Sequence, residues 1–60
     1  MNILSIEKLN DELNRYCRYE DNIVSWCGDL FGSAIPDELR NKIINSEDDM
    51  LIWKMENLTK

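Results

Sequence analysis

The feature that most constrains the fold is one apolar stripe with helical spacing, which runs from Ile6 to Phe31. At about 100° per residue its members lie within roughly half of a helix circumference, the pattern of an amphipathic helix. The members are Ile6, Leu9, Leu13, Tyr16, Cys17, Ile23, Val24, Trp26, Cys27, Leu30 and Phe31, and Glu20 interrupts them. The stripe predicts a long first helix.

The ends of this helix carry recognisable signals. Ser5 is a good N-cap, and Leu4 and Leu9 stand where a hydrophobic staple would place them. Gly32 follows the stripe as a residue that ends a helix would. We therefore expect the helix to begin near Ser5 and to end before Gly32.

The weak point of the predicted helix is the segment Glu20-Asp21-Asn22, which puts a carboxylate inside the stripe. One alternative is a break here, with Asp21 as the N-cap of a second helix. A continuous helix is the favoured interpretation, because the apolar residues on both sides of Glu20 keep the same phase.

The second half of the chain is also predicted to be helical. Pro36 suits a first helical turn, and Asp37 and Glu38 complement the positive end of the dipole. An unbroken helix from Pro36 to Leu58 would carry two apolar stripes, Leu39, Ile43, Met50 and Trp53, and Ile44, Leu51, Met55 and Leu58. The alternative is a break near Asn45, because Ser46 and Asp49 resemble a capping box.

These patterns predict an all-α fold in which residues 1–60 form one domain, a helical hairpin of two long helices, either of which could break. A chain of 60 residues buries only about 60% of its unfolded surface, and a helix with two apolar stripes needs two neighbours. We therefore expect a homodimer, with two hairpins forming a helical bundle.

The two cysteines, Cys17 and Cys27, lie on the same stripe. On one straight helix they would be about 15 Å apart, beyond the reach of a disulfide, and they could meet only if the chain folded back near Asp21. We expect both to be reduced and buried.

Catalytic chemistry is disfavoured by composition. The chain contains no histidine, and neither of its two glycines opens a phosphate-binding motif. Its hydroxyl and thiol groups therefore have no imidazole base to activate them. We expect a protein that is not an enzyme and that binds neither a cofactor nor a metal ion.

The net charge of −5 argues against nucleic-acid phosphates and anionic membranes as direct partners. Arg15 and Arg18 lie among acidic residues, and Asp11 precedes Arg15 at the spacing of a helical ion pair. The chain has no signal peptide pattern and no apolar run of membrane-spanning length, so a cytoplasmic location is expected.

Two groups of residues are candidates for a binding site. The first is an acidic patch of Glu47, Asp48 and Asp49 with Asp37 and Glu38, although the same carboxylates could simply cap helices. The second is a set of aromatic anchors, Tyr19, Trp26 and Trp53, which could instead belong to the core.

Together these features predict a small acidic protein that binds another protein with a basic surface. In style it resembles phage-type inhibitors, including nucleic-acid mimics that act on host proteins such as defence nucleases. The alternative is a homo-oligomeric accessory protein or transcriptional regulator with a helical-bundle fold.

Overall fold

A computed structural model describes residues 3–59 of the chain, and the side chains of residues 5–59. The elements are α1 (Ile3–Asn14), β1 (Arg18–Glu20), β2 (Ser25–Cys27), α2 (Asp37–Ser46) and α3 (Asp49–Asn57). The two strands form one antiparallel sheet. The prediction of an all-α hairpin of two long helices that dimerises into a helical bundle is therefore wrong.

The first half of the chain departs most from the predicted helix. Helix α1 ends at Asn14, and the chain then forms a β-hairpin in which Tyr19 lies opposite Trp26. The Asp21 carboxylate accepts the backbone N–H groups of Ile23 and Val24, at 2.9 and 2.5 Å. An N-cap carboxylate makes the same kind of bond, but here it organises a turn, and the aromatic and β-branched residues beside it favour strands.

The predicted ends of the first helix are also corrected. Helix α1 already includes Ser5, which is therefore not its N-cap, and the Leu4 side chain lies outside the described part of the chain. Gly32 does adopt positive φ, at 93°, but it belongs to a turn in which the Ser33 N–H donates to the Leu30 carbonyl at 2.9 Å.

The second half breaks as the alternative interpretation predicted, so the unbroken helix from Pro36 to Leu58 is wrong. Glu47 adopts a left-handed conformation, with φ 57° and ψ 21°, between α2 and α3. Asp48 is the N-cap of α3, and its side chain accepts the Leu51 N–H at 3.0 Å. Ser46 is not this cap but the last residue of α2, where its hydroxyl donates to the Ile43 carbonyl at 2.6 Å and accepts the Asp48 N–H at 3.2 Å.

This break explains the two apolar stripes of the second half. In α2 the first stripe faces inward, since Leu39 and Ile43 are buried and Ile44 is exposed. After the turn at Glu47 the second stripe faces inward, and α3 buries Leu51 and Met55. The two stripes thus contribute to one core in succession, and Ile44, Met50 and Trp53 are left exposed.

The core lies where α1, α2 and α3 contact one another, and residues of the segment after α1 also belong to it. The buried apolar side chains are Leu13, Tyr16, Cys17, Ile35, Leu39, Ile43, Leu51 and Met55. Cys17 is buried, but Cys27 is exposed on β2, so the expectation that both cysteines are buried is wrong. The chain does fold back near Asp21, and both thiols are nevertheless free.

Within residues 3–59, no helix has both the length and the apolar character that are needed to cross a bilayer.

Candidate protein-binding surface

The outer face of α3 carries the largest exposed apolar groups on any helix in the described part of the chain. Met50 and Trp53 are 69% and 54% exposed. Together with Asp49 and Lys54 they line an open depression of about 450 Å³. The helical spacing of these four residues puts them on the side of α3 opposite Leu51 and Met55, which face the core. We call Asp49, Met50, Trp53 and Lys54 the α3 surface.

The acidic run Glu47-Asp48-Asp49 lies at the N-terminal end of the same helix. Asp48 caps the helix and Asp49 lies in its first turn, where negative charge complements the helix dipole. Asp49 also lines the depression beside Trp53. The structure therefore brings one predicted aromatic anchor together with the predicted acidic run.

The other two predicted acidic residues lie elsewhere. Asp37 and Glu38 occupy the first turn of α2, and the acidic run follows the end of that helix. A helix of 10 residues is about 15 Å long, so the five carboxylates form two separate groups. Glu38 also pairs with Lys42 at 3.2 Å.

Tyr19 and Trp26 form an aromatic stack across the hairpin. Their ring centroids are 4.4 Å apart, and the Tyr19 hydroxyl donates to Asn14 Oδ1 at 2.6 Å. Burial raises the pKa of Tyr19 to about 12, so Tyr19 holds the hairpin against the helices as a neutral group. Trp26 is the more accessible ring, with 51% exposure.

Lys54 connects the aromatic stack with the α3 surface. Its Nζ lies 5.8 Å from the centroid of the Tyr19 ring and donates to Asn10 Oδ1 at 2.7 Å. A cation over an aromatic face at this separation is attracted to it. Lys54 therefore links α3 to α1 through Asn10 and to the hairpin through Tyr19.

The charges of the hairpin are largely paired within the chain. Arg15 donates to both carboxylate oxygens of Asp29, at 3.3 and 3.2 Å, and not to Asp11 as the helical spacing predicted. This pairing lowers the pKa of Asp29. Arg18 pairs with Glu20 at 2.7 Å.

The sequence interpretation missed four exposed apolar residues of the described chain as candidate contacts. The apolar pattern places Ile44 and Met50 on the stripes of the second helix and Ile23 and Val24 on the stripe of the first. Ile23, however, is 93% exposed at the hairpin turn. The available signal was Asp21-Asn22, a pair that favours turns, directly before two β-branched residues.

Neither a metal site nor a relationship to known proteins adds to this geometry. In the part of the chain that the structure describes, no three His, Cys, Asp or Glu side chains are grouped closely enough to hold a metal ion. No protein-family model matches the chain, and no curated protein and no solved structure matches it either.

Proposed function

We propose that this chain is a small, non-enzymatic protein that binds another protein through the α3 surface. The observation that supports this proposal is the exposure of Met50 and Trp53 beside Asp49. Tryptophan is enriched among the residues that dominate binding energy in protein interfaces. An exposed tryptophan that lines an open depression, as Trp53 does, is suited to be such an anchor.

The partner we propose has a basic surface around an apolar patch. The chain carries a net charge of −5, and three carboxylates precede the exposed tryptophan on α3. Complementary charge speeds association and sets the orientation of docking, while the apolar anchor supplies affinity. Nucleic-acid-binding proteins, among them defence nucleases, have the basic surface that this requires, so a phage-type inhibitor or nucleic-acid mimic remains the most specific form of the proposal.

The alternative regulator was predicted on a helical-bundle face. That fold is overturned, and no observation on the described residues favours the alternative.

The proposal is tested by quantitative capture of partners from a host lysate, followed by binding kinetics with the purified partner. Trp53→Ala should weaken binding about 30-fold or more, the effect of losing a hot-spot side chain worth 2 kcal/mol. Ile44→Ala is the matched control, because Ile44 is an exposed apolar residue on the neighbouring helix α2.

The charge contribution is tested with Glu47→Gln, Asp48→Asn and Asp49→Asn combined, which keeps side-chain size and the capping oxygen. Association should slow, and its dependence on salt should flatten. Asp37→Asn with Glu38→Gln is the control, since it removes the same kind of charge at the far end of α2. Unchanged partner binding by both Trp53→Ala and the triple variant, with unchanged circular dichroism, would contradict the proposal.

A further inference from the structure

The outer edges of β1 and β2 differ in the hydrogen bonds that their backbone groups make within the chain. Two hydrogen bonds between the strand ends show which residue pairs of the hairpin are hydrogen-bonded. The Asp21 N–H donates to the Val24 carbonyl, and the Gly28 N–H donates to the Cys17 carbonyl. Antiparallel ladders alternate between hydrogen-bonded and non-hydrogen-bonded pairs, so Tyr19 and Trp26 form the hydrogen-bonded pair between these two. The backbone groups of Ser25 and Cys27 therefore point away from β1.

The edge of β1 is partly covered within the chain, since the outward N–H of Arg18 donates to the Leu58 carbonyl at 2.9 Å. The edge of β2 is different. Among residues 3–59, no partner bonds the backbone N–H or C=O groups of Ser25 and Cys27. An unpaired strand edge of this kind is a template for another strand.

We infer that the occupant of this edge is β2 of a second copy of the chain, paired antiparallel about a two-fold axis at Trp26. This is the register in which all three residues of β2 are paired. It places Ser25 opposite Cys27 of the second copy, and each such pair exchanges two backbone hydrogen bonds. Four backbone bonds then join two hairpins into a four-stranded sheet, which is unrelated to the helical bundle rejected above.

The side chains of β2 make this pairing self-complementary. On one face, the small uncharged side chains of Ser25 and Cys27 meet, so no like charges are opposed. On the other face, the half-exposed Trp26 meets its symmetry mate, and aromatic cross-strand pairs are favourable. A two-fold interface requires this kind of self-complementarity.

Charge next to this edge does not oppose a second copy, because much of it is paired within the chain. The chain as a whole is acidic, but beside β2 the Asp29 carboxylate is paired with Arg15 and that of Glu20 with Arg18. Two copies can therefore approach through their hairpins with much of the local charge compensated. Because the net charge of each copy is −5, added salt should strengthen this association, whereas it should weaken docking of a basic partner on the α3 surface.

The register is tested by cross-linking Ser25→Cys under a mild oxidant such as oxidised glutathione. The introduced thiol would face Cys27 of the second copy in a hydrogen-bonded pair, about 5.5 Å apart at Cα, which suits a disulfide. Two copies of the same residue are offset by two positions in this register. Their Cα atoms lie roughly 8 Å apart, which is too far for a disulfide. Cross-linked dimer should therefore form with Ser25→Cys, but not with the wild type or with Ser25→Cys combined with Cys27→Ser.

The backbone bonds are tested by sedimentation equilibrium of Ser25→Pro. Proline removes an outward N–H without removing a bond inside the hairpin, and it is tolerated on edge strands. Two of the four bonds across the edge are lost, so self-association should weaken about tenfold or more. Ser25→Thr is the control, because it keeps the N–H and the strand preference.

The inference is overturned by any of three results. They are a wild type that stays monomeric into the millimolar range, a Ser25→Pro variant that associates like the folded wild type, and equal cross-linking in the two controls, each of which has one cysteine on β2 besides the buried Cys17. If Ser25→Pro instead lowers capture of a different protein while the wild type is monomeric, the edge serves that protein and not a second copy. Binding of a basic partner to the α3 surface is measured separately, so either proposal can fail alone.

Discussion

The helical core and the β-hairpin are stabilised in different ways. Among residues 5–59 the core buries eight apolar side chains, and Leu13, Cys17 and Ile43 are the largest fully buried ones. The hairpin exposes Ile23, Val24 and Trp26, and it is held by turn hydrogen bonds and ion pairs. The hydrophobic contribution to folding therefore comes mainly from this core, because it scales with the apolar area removed from water. The hairpin contributes little to stability and so is available for contacts outside the chain.

The two regions are joined by close contacts at the base of the hairpin. Gly28 packs against the backbone carbonyl groups of Asn14 and Arg15, and Lys54 lies over the ring of Tyr19. The hairpin is thus fixed at its base and exposed at its tip.

The largest expected effect contrasts two isoleucines. Ile43→Ala should lower the free energy of unfolding by about 2 to 5 kcal/mol, because it leaves a cavity at a fully buried position. Ile23→Ala should change it by less than about 0.5 kcal/mol, since that side chain is exposed. Urea unfolding followed by far-UV circular dichroism measures both. Similar losses from the two substitutions would show that the hairpin tip is part of the core.

The next effect concerns the base of the hairpin. Gly28→Ala should destabilise the fold by about 1 to 3 kcal/mol, because the added Cβ would collide with the carbonyl groups of Asn14 and Arg15. Gly32→Ala is the comparison, since its Cβ would meet open space and only its positive φ is unfavourable. The melting temperature in thermal unfolding should therefore be lower for Gly28→Ala than for Gly32→Ala. The reverse order would mean that the hairpin base is not closely packed.

A smaller effect is expected at the break between α2 and α3. Asp48→Ala should cost about 1 kcal/mol, because it removes the cap that accepts the Leu51 N–H. Asp48→Asn keeps an acceptor oxygen and should cost only a few tenths. Chemical denaturation separates the two variants. Equal losses from alanine and asparagine would indicate that the charge of Asp48, and not its cap bond, matters there.

The smallest effect is a dependence of the hairpin on acid. Turn N–H groups lower the pKa of Asp21, and Arg15 lowers that of Asp29, relative to the ordinary value of 3.8. The two ionised carboxylates therefore contribute fully to stability above pH 3.8. This contribution is lost as the pH falls through their lower pKa values in the folded state.

NMR should show the amides of Ile23 and Val24 shifting in this acid range before the signals of α2 change. Asp21→Asn should remove the part of this change that belongs to the turn. Simultaneous loss of hairpin and helix signals in the wild type would contradict a hairpin that responds separately.

Sequence reasoning predicted the second half of the chain better than the first. Pro36, the acidic first turn of α2 and the break before α3 all follow from capping chemistry that acts within a few residues. The two predicted stripes also contain the apolar residues that both helices bury. Which stripe each helix buries depends on the left-handed turn at Glu47, and side-chain periodicity does not encode that turn.

The first half was mispredicted because its apolar residues fit two periods. Ile6, Leu9 and Leu13 do lie on one helix, but Trp26 and Cys27 belong to the strand β2, whose residues happen to continue the phase of that helix. Over three-residue strands a period of two cannot be distinguished from helical spacing. The turn at Asp21 decides the outcome, and for the same reason the exposure of Ile23 was missed. The α3 surface was partly predictable, because Trp53 and the acidic run were both candidates.

Native-state hydrogen exchange, resolved by residue with NMR, tests most directly whether the helices and the hairpin differ in stability. We predict that the amides of Ile43 and Met55 exchange only through global unfolding, because both lie in helices that pack on the core. The amides of Tyr19 and Trp26, which are paired in the ladder, should exchange through local opening at a clearly lower free energy. Equal protection of the hairpin amides and the core-helix amides would contradict the account.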